Sequence, residues 1–196
     1  MAKRRMIRVL VPYSRSLYFV DRGHERGLTA DLIRDFERHI NRKLKTGKRP
    51  ITVYIVPTTR DKLLPGLAEG LGDIAAGNLT VTPERERVVD FAGTAGIVSE
   101  ILVTGRGAPA IADIDGLAGQ RVHVRPSSSY RESLEALSAR FVAQGKPAID
   151  IAPVPDALED EDMMEMANAG LLGVIVVDDW KAKLWARVLP SLRLRT

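Results

Sequence analysis

The 196-residue sequence predicts an α/β protein of two successive lobes, each a mainly parallel sheet flanked by helices. Three observations carry this. Apolar, β-branched runs alternate with runs of helical period, the order that builds right-handed βαβ units. A stretch rich in Gly, Ala and Asp, "RGAPAIADIDGLAG" at residues 106–119, interrupts the alternation. The alternation then restarts. The expected division is lobe one at residues 6–104 and lobe two at 105–190. Residues 191–196 open a strand leading back to lobe one.

The elements of lobe one follow in order. "MIRVLVP", residues 6–12, reads as a short strand. Residues 27–48 read as a helix, because Leu32, Ile33, Phe36, Ile40 and Leu44 recur at three-to-four spacing with basic residues between them. "ITVYIVP", residues 51–57, is β-branched and reads as a strand. Residues 60–71 form a short helix with Leu63, Leu64, Leu67 and Leu71 on one side and Pro65 in its first turn. "DIAAG", residues 73–77, is a buried strand. Residues 96–105 are an extended run.

Lobe two repeats the scheme. Strands are expected at residues 121–125, 148–154, 173–177 and 192–195. Helices are expected at 130–146, 157–170 and 178–188. Met163, Met164 and Met166 fall at core-facing positions. Trp180 and Trp185 are placed to pack the last helix.

Composition narrows the function. Apolar residues are 45% and charged residues 28%, ordinary for a globular chain. No apolar run approaches the ~18 residues of a membrane span. Net charge is 29 − 25 = +4, and Lys3, Arg4 and Arg5 supply three of those charges. The rest is nearly neutral, so a clustered basic face for nucleic acid is not expected. Aromatics at 5% leave little for base stacking. With no cysteine there is no disulfide, thiolate metal site or Cys nucleophile. The N-terminus is basic but lacks the apolar core of a secretory leader. His24, His39 and His123 share no ligand spacing, so no metal is expected, and no Gly-rich phosphate loop is present. Asp113 and Asp115 do not match an EF-hand loop, nor does "EDED" at residues 159–162, which reads as a solvated helix start favouring acids.

The most informative stretch is "GDIAAGNLTVTPERERVVDFAGT", residues 72–94. An apolar strand turns polar and is followed by a cluster of charges. In an open α/β sheet, ligands bind beyond the carboxyl ends of strands. Asn78 and Thr80 alternate on a period of two, so both are expected on one side. Arg85 follows a Thr-Pro start that caps a turn or helix. A guanidinium fork matches a carboxylate bidentately. A surface pairing of Arg85 with Asp90 or Glu86 is the other use of this residue. In lobe two, Ser127, Ser128 and Ser129 precede a helix, where hydroxyls and N–H groups suit an anion. They equally suit a plain N-cap, with Ser129 and Glu132 as a capping box.

Taken in order, "GLTADLIRDFERHI", "LPGLAEGLGDIAAGNLTVTPERERVVDFAGT", "GLAGQRVHVRPSSSYRESL" and "GVIVVDD" resemble the type II periplasmic solute-binding proteins, in particular their amino-acid-binding branch. The family more often has glycine where Ser127 stands. The resemblance implies the two-lobed type II fold, with a further segment after residue 196 returning to lobe one. It implies a ligand-binding role in the interlobe cleft, without catalytic residues or cofactor. Arg85 would hold a ligand carboxylate, with Thr80 and Asn78 adding contacts. Ser129 and Ser128 would meet the same carboxylate from lobe two. Asp178 would take the ligand ammonium, while Asp179 beside it could be the helix cap. Tyr13, with Tyr18 and Phe19, would supply an aromatic wall, and Arg125 is a further candidate charge.

A narrower resemblance joins "RVHVRPSSSYRESLEAL" and "EDEDMMEMANAGLLGVIVVDDWKAKLWARV" to the solute-binding module of membrane-bound lytic murein transglycosylases of the F type. It implies a sensing module for an amino acid or a peptidoglycan-derived peptide, in the periplasm, ahead of a separate catalytic domain. Membrane association would come only through segments outside this chain. The alternatives are a stand-alone amino-acid-binding protein serving an ABC permease and, less favoured, a dehydratase-type enzyme on the same fold. No residue is arranged as the general acid that a dehydratase needs.

Overall fold

In the computed structural model, residues 4–93 and 96–195 are described. The chain divides into two compact units, residues 1–94 and 95–196.

The first unit is organised by β1 (Met6–Pro12), whose last four residues are all buried. β4 (Thr52–Thr58) and the two-residue β5 (Ile74–Ala75) pair with it on either side, both parallel. Between β1 and β4 the chain forms a hairpin, β2 (Phe19–Asp21) with β3 (His24–Arg26), and α1 (Leu28–Lys43). The hairpin has no signal in the apolar pattern, since its residues are mostly exposed. α1 places Ala30, Ile33, Phe36 and Ile40 against Ile7, Val9, Val11 and Val53. Burying a side chain such as Ile33 is worth roughly 1.5–3 kcal/mol. Leu32, expected in the same stripe, is 66% exposed, because the core-facing arc is narrower than the run of apolar residues. The helix begins where the Leu17 carbonyl accepts from Thr29 N–H. A Cβ on Gly27, at φ 110°, would lie 2.4 Å from that carbonyl oxygen, so only glycine fits. α2 (Leu63–Ala68) carries Pro65 in its first turn and follows a 3-10 turn at Arg60–Lys62. α3 (Pro83–Glu86) completes the unit.

The second unit is a five-stranded sheet in the order β10-β6-β9-β7-β8. Its strands are β6 (Glu100–Thr104), β7 (Arg121–Val124), β8 (Asp150–Pro153), β9 (Val174–Asp178) and β10 (Arg193–Arg195). β7, β8 and β9 are mutually parallel, whereas β6 pairs antiparallel with both β9 and β10. All five residues of β9 are buried, so both faces of this strand meet a core. Val174 and Val176 pack with α4 (Ser129–Ala143) through Leu134 and Phe141. Ile175 and Val177 pack with α5 (Asp160–Asn168) and α6 (Asp179–Trp185) through Met163, Met164 and Ala182. The period of two sends alternate side chains to opposite layers.

The units divide earlier than the boundary expected at 104. The reason is pairing: β6 hydrogen-bonds to β9 and to β10, so it belongs to the second sheet. From sequence it is only an extended run next to lobe one. β10, expected to lead away, is the edge strand of that same sheet.

Candidate functional site

In the first unit the carboxyl ends of β1, β4 and β5 lie along one edge of a parallel sheet. Tyr13 leaves β1 there, with its N–H donating to the Thr58 carbonyl at 3.2 Å. Its ring is 58% exposed and stands edge-on to the buried Tyr18, 6.5 Å between centroids. The loop after β5 is held at two carbonyls. Arg60 Nη1 donates to Gly77 at 2.7 Å, and Arg85 Nη1 donates to Thr80 at 2.9 Å. Between these anchors Asn78 adopts φ 49°. A left-handed residue breaks the strand's alternation, so the expected sharing of one face by Asn78 and Thr80 has no basis in strand geometry. Thr82 caps α3, its Oγ1 accepting from Arg85 N–H at 3.4 Å, with Pro83 as the first helical residue. The cap and the Thr80 carbonyl set the backbone and head of Arg85. Arg60 had no sequence signal, because its role depends on a loop that follows a different strand.

In the second unit the ends of β7, β8 and β9 meet at another carboxyl edge. Ser128 is the N-cap of α4: its Oγ accepts from Tyr130 N–H at 3.2 Å. The cap therefore lies one residue before the Ser129 expected to form a capping box with Glu132, and Ser129, 7% exposed, is the first helical residue. Ser127 stands where glycine was the commoner expectation. Its φ is not positive, and its N–H and Oγ both donate to Asp156 Oδ1, at 3.1 and 2.6 Å, so a side chain is accommodated.

Arg125 does not present a free charge. It is 2% exposed, pairs with Asp160 and donates through Nη1 to the Leu158 carbonyl at 2.8 Å. Lys181 Nζ takes the other Asp160 oxygen at 2.7 Å. The "EDED" segment is accordingly not solvated: Glu159, Asp160 and Glu161 are all buried, and α5 starts with a capping box between Glu159 and Asp162. The acids are drawn inward by cations that lie far away in sequence.

Asp178 ends β9 and is 6% exposed. The Tyr130 hydroxyl accepts from its N–H at 3.1 Å. Its Oδ1 is buried without a hydrogen-bond partner. Burial pushes the carboxyl above the ordinary carboxylate range; the Asp160 charge adds to this, while Tyr130, Lys181 and Trp180 oppose it. Directly across the ladder stands Glu100. Over the whole residue it is exposed, yet its carboxyl is raised, first by desolvation and then by the charges of Asp178 and Glu132, with Ser133 of α4 opposing the rise. Burial likewise raises the Tyr130 phenol, helped by Asp160 and Asp178. Glu100 and Tyr130 were not foreseen, since cross-strand and helix–strand pairing is invisible in a linear pattern.

Among the described residues no group of three or more His, Asp or Glu could hold a metal ion, and no helix is long and apolar enough to cross a membrane.

The chain is thus a mixed α/β protein with polar groups gathered at the carboxyl ends of its strands. The profile of the bacterial extracellular solute-binding proteins, family 3, matches residues 7–182, and the chain belongs to that family. It is 29% identical over 187 residues to a membrane-bound lytic murein transglycosylase F of Desulfosudis oleivorans, covering 95% of this chain and 38% of the relative. The relative of the same name from Ectopseudomonas mendocina is 26% identical over 96% of this chain and 36% of its own length. The chain thus spans little more than a third of these curated relatives. Among solved structures, an ancestral arginine-binding protein bound to arginine superposes with TM-score 0.75 at 20% identity, covering 97% of this chain and 78% of that one. The ancestral amino-acid-binding protein AncCDT-1, a precursor of cyclohexadienyl dehydratase, gives TM-score 0.76 at 20% identity, covering 100% of this chain and 79% of that one. These likenesses establish the type II two-lobed fold.

Proposed function

We propose that this chain binds a small ligand bearing a carboxylate and an ammonium, an amino acid or a peptidoglycan-derived peptide. The carrying observation is the state of Asp178: a buried carboxylate with an unpartnered oxygen at a strand end, the group an ammonium would satisfy. Arg85, with Thr80 and Asn78, is the partner for the ligand carboxylate, together with Ser128 and Ser129. Tyr13 offers an exposed ring for apolar parts of the ligand.

In this reading the chain is the sensing module of a periplasmic protein resembling a lytic murein transglycosylase, and a catalytic domain is its partner. The named relatives support it, matching almost all of this chain with about a third of their length. The second reading is a stand-alone binding protein for an ABC permease, favoured by a likeness to the substrate-binding protein of an amino acid ABC transporter, TM-score 0.75.

The test is a thermal-shift screen of the chain against L-amino acids and small muropeptides, repeated on Arg85→Ala. A ligand at 100 times its Kd stabilises by about 2.7 kcal/mol, or roughly 5–10 °C for a domain of this size. The shift should vanish in the variant. A muropeptide hit supports the murein reading, a free amino acid alone supports transport, and a flat screen of folded protein refutes both.

A further inference from the structure

Glu100 opens β6 directly opposite Asp178 at the end of β9. Opposed residues of an antiparallel pair project to one face, with Cβ atoms about 4.5–5.5 Å apart. The two carboxylates therefore stand side by side. α4 supplies the adjoining wall. Ser129 and Ser133 lie four apart on one face of that helix, with Glu132 beside them. Ser133 of α4 is close enough to Glu100 to oppose the rise of its carboxyl, and the Tyr130 hydroxyl accepts from the Asp178 N–H at 3.1 Å. The surface that carries Ser129 and Asp178 thus runs on to Glu100.

The charges at this place do not balance. Glu100, Glu132 and Asp178 have no ion pair among the described residues. Lys181, the cation whose charge reaches Asp178, is committed to Asp160 at 2.7 Å, and Arg125 pairs with Asp160 from its other side. Asp178 Oδ1 is buried and unpartnered. Such an oxygen costs stability until a donor arrives, and a second carboxylate beside it adds repulsion. One ligand ammonium would satisfy Asp178 alone. Glu100 is then surplus to the binding of an ordinary amino acid.

We propose that Glu100 and Asp178 form a paired cation subsite that selects ligands with a second amine: dibasic amino acids, or peptides that contain one. One ammonium meets Asp178, and the other meets Glu100. The inference rests on the reading of Asp178 as the ammonium partner.

L-Lysine and L-norleucine discriminate, because they share a carbon skeleton and differ in the terminal amine. Titration calorimetry of the 196-residue chain should show L-lysine binding at least about tenfold more tightly, the minimum for a charge-assisted hydrogen bond. Glu100→Gln should bring the two within about twofold by weakening L-lysine alone. Glu100→Ala should repeat the result, with circular dichroism confirming that both variants fold. Equal affinities in the unaltered chain, or a preference that survives both substitutions, would overturn the paired subsite and leave the single-ammonium reading standing. If neither amino acid binds but a monobasic one does, the paired subsite alone falls. If no amino acid binds the folded chain, the ammonium role of Asp178 falls too.

Discussion

Asp160 and Asp178 are buried alike, at 3% and 6% exposure, in the same unit, and their surroundings are opposite. Asp160 is gripped by two cations, Arg125 and Lys181, themselves buried. Asp178 makes no ion pair among the described residues, and its Oδ1 is buried without a hydrogen-bond partner. A buried charge persists at low cost when it is paired and hydrogen-bonded, and at high cost when it is not. The first aspartate therefore belongs to the fold: it ties the end of β7 to the starts of α5 and α6. The second is left short of positive charge at a strand end. Burial by itself does not separate the two; the missing ion pair does, and it is what the proposed ammonium role of Asp178 rests on.

The comparison breaks most visibly at Asp160. Asp160→Asn strands two buried cations and should cost about 3–5 kcal/mol in chemical denaturation. A loss below about 1 kcal/mol would mean that the pairings are dispensable.

Asp73 in the first unit sharpens the contrast at intermediate size. Arg8 donates to it from N–H at 2.8 Å and from Nε at 3.2 Å, and those bonds hold its carboxyl below the ordinary range. Asp73→Asn should cost about 1–2 kcal/mol at neutral pH. A depressed acid contributes stability that is full above its unfolded pKa and lost as pH falls through its folded one. The gap between wild type and variant should therefore close below about pH 4, measured as Tm against pH.

The smallest effect has the opposite sign. The Asp178 carboxyl is raised, so the folded state holds its proton more tightly than the unfolded chain does. Above that raised pKa the ionised form costs stability, and the cost disappears as pH falls through it. Asp178→Asn should stabilise the ligand-free protein by about 0.5–1 kcal/mol at pH 7, the usual scale for relieving a functional site. The same variant should lose the thermal shift given by ligand. A destabilised variant would place Asp178 with Asp160 as a structural residue.

Much of the fold was legible locally. The strand at residues 6–12, the helical stripe through Ile33, Phe36 and Ile40, and the Thr82–Pro83 cap all follow from patterns a few residues long. The candidate site was legible in part. Asp178, Ser128, Ser129 and Arg85 stand at strand ends or helix starts, and those positions can be read from the order of elements. The exposed hairpin at residues 19–26 was missed because it buries almost nothing. Arg125 was expected among the ligand-facing charges and residues 159–162 in solvent, because charged residues are seldom buried.

The sequence by itself determined the alternation of strands and helices, the apolar faces, and the polar residues just past the strand ends, since period and capping act within one turn or one pleat. Only the tertiary structure decided which charges are neutralised and which are not. Arg125 and Asp160 are 35 residues apart, and Lys181 lies 21 beyond Asp160. Glu100 meets Asp178 only because β6 pairs with β9. Coulomb energy depends on distance and burial in space, and neither is written in the spacing of residues along the chain.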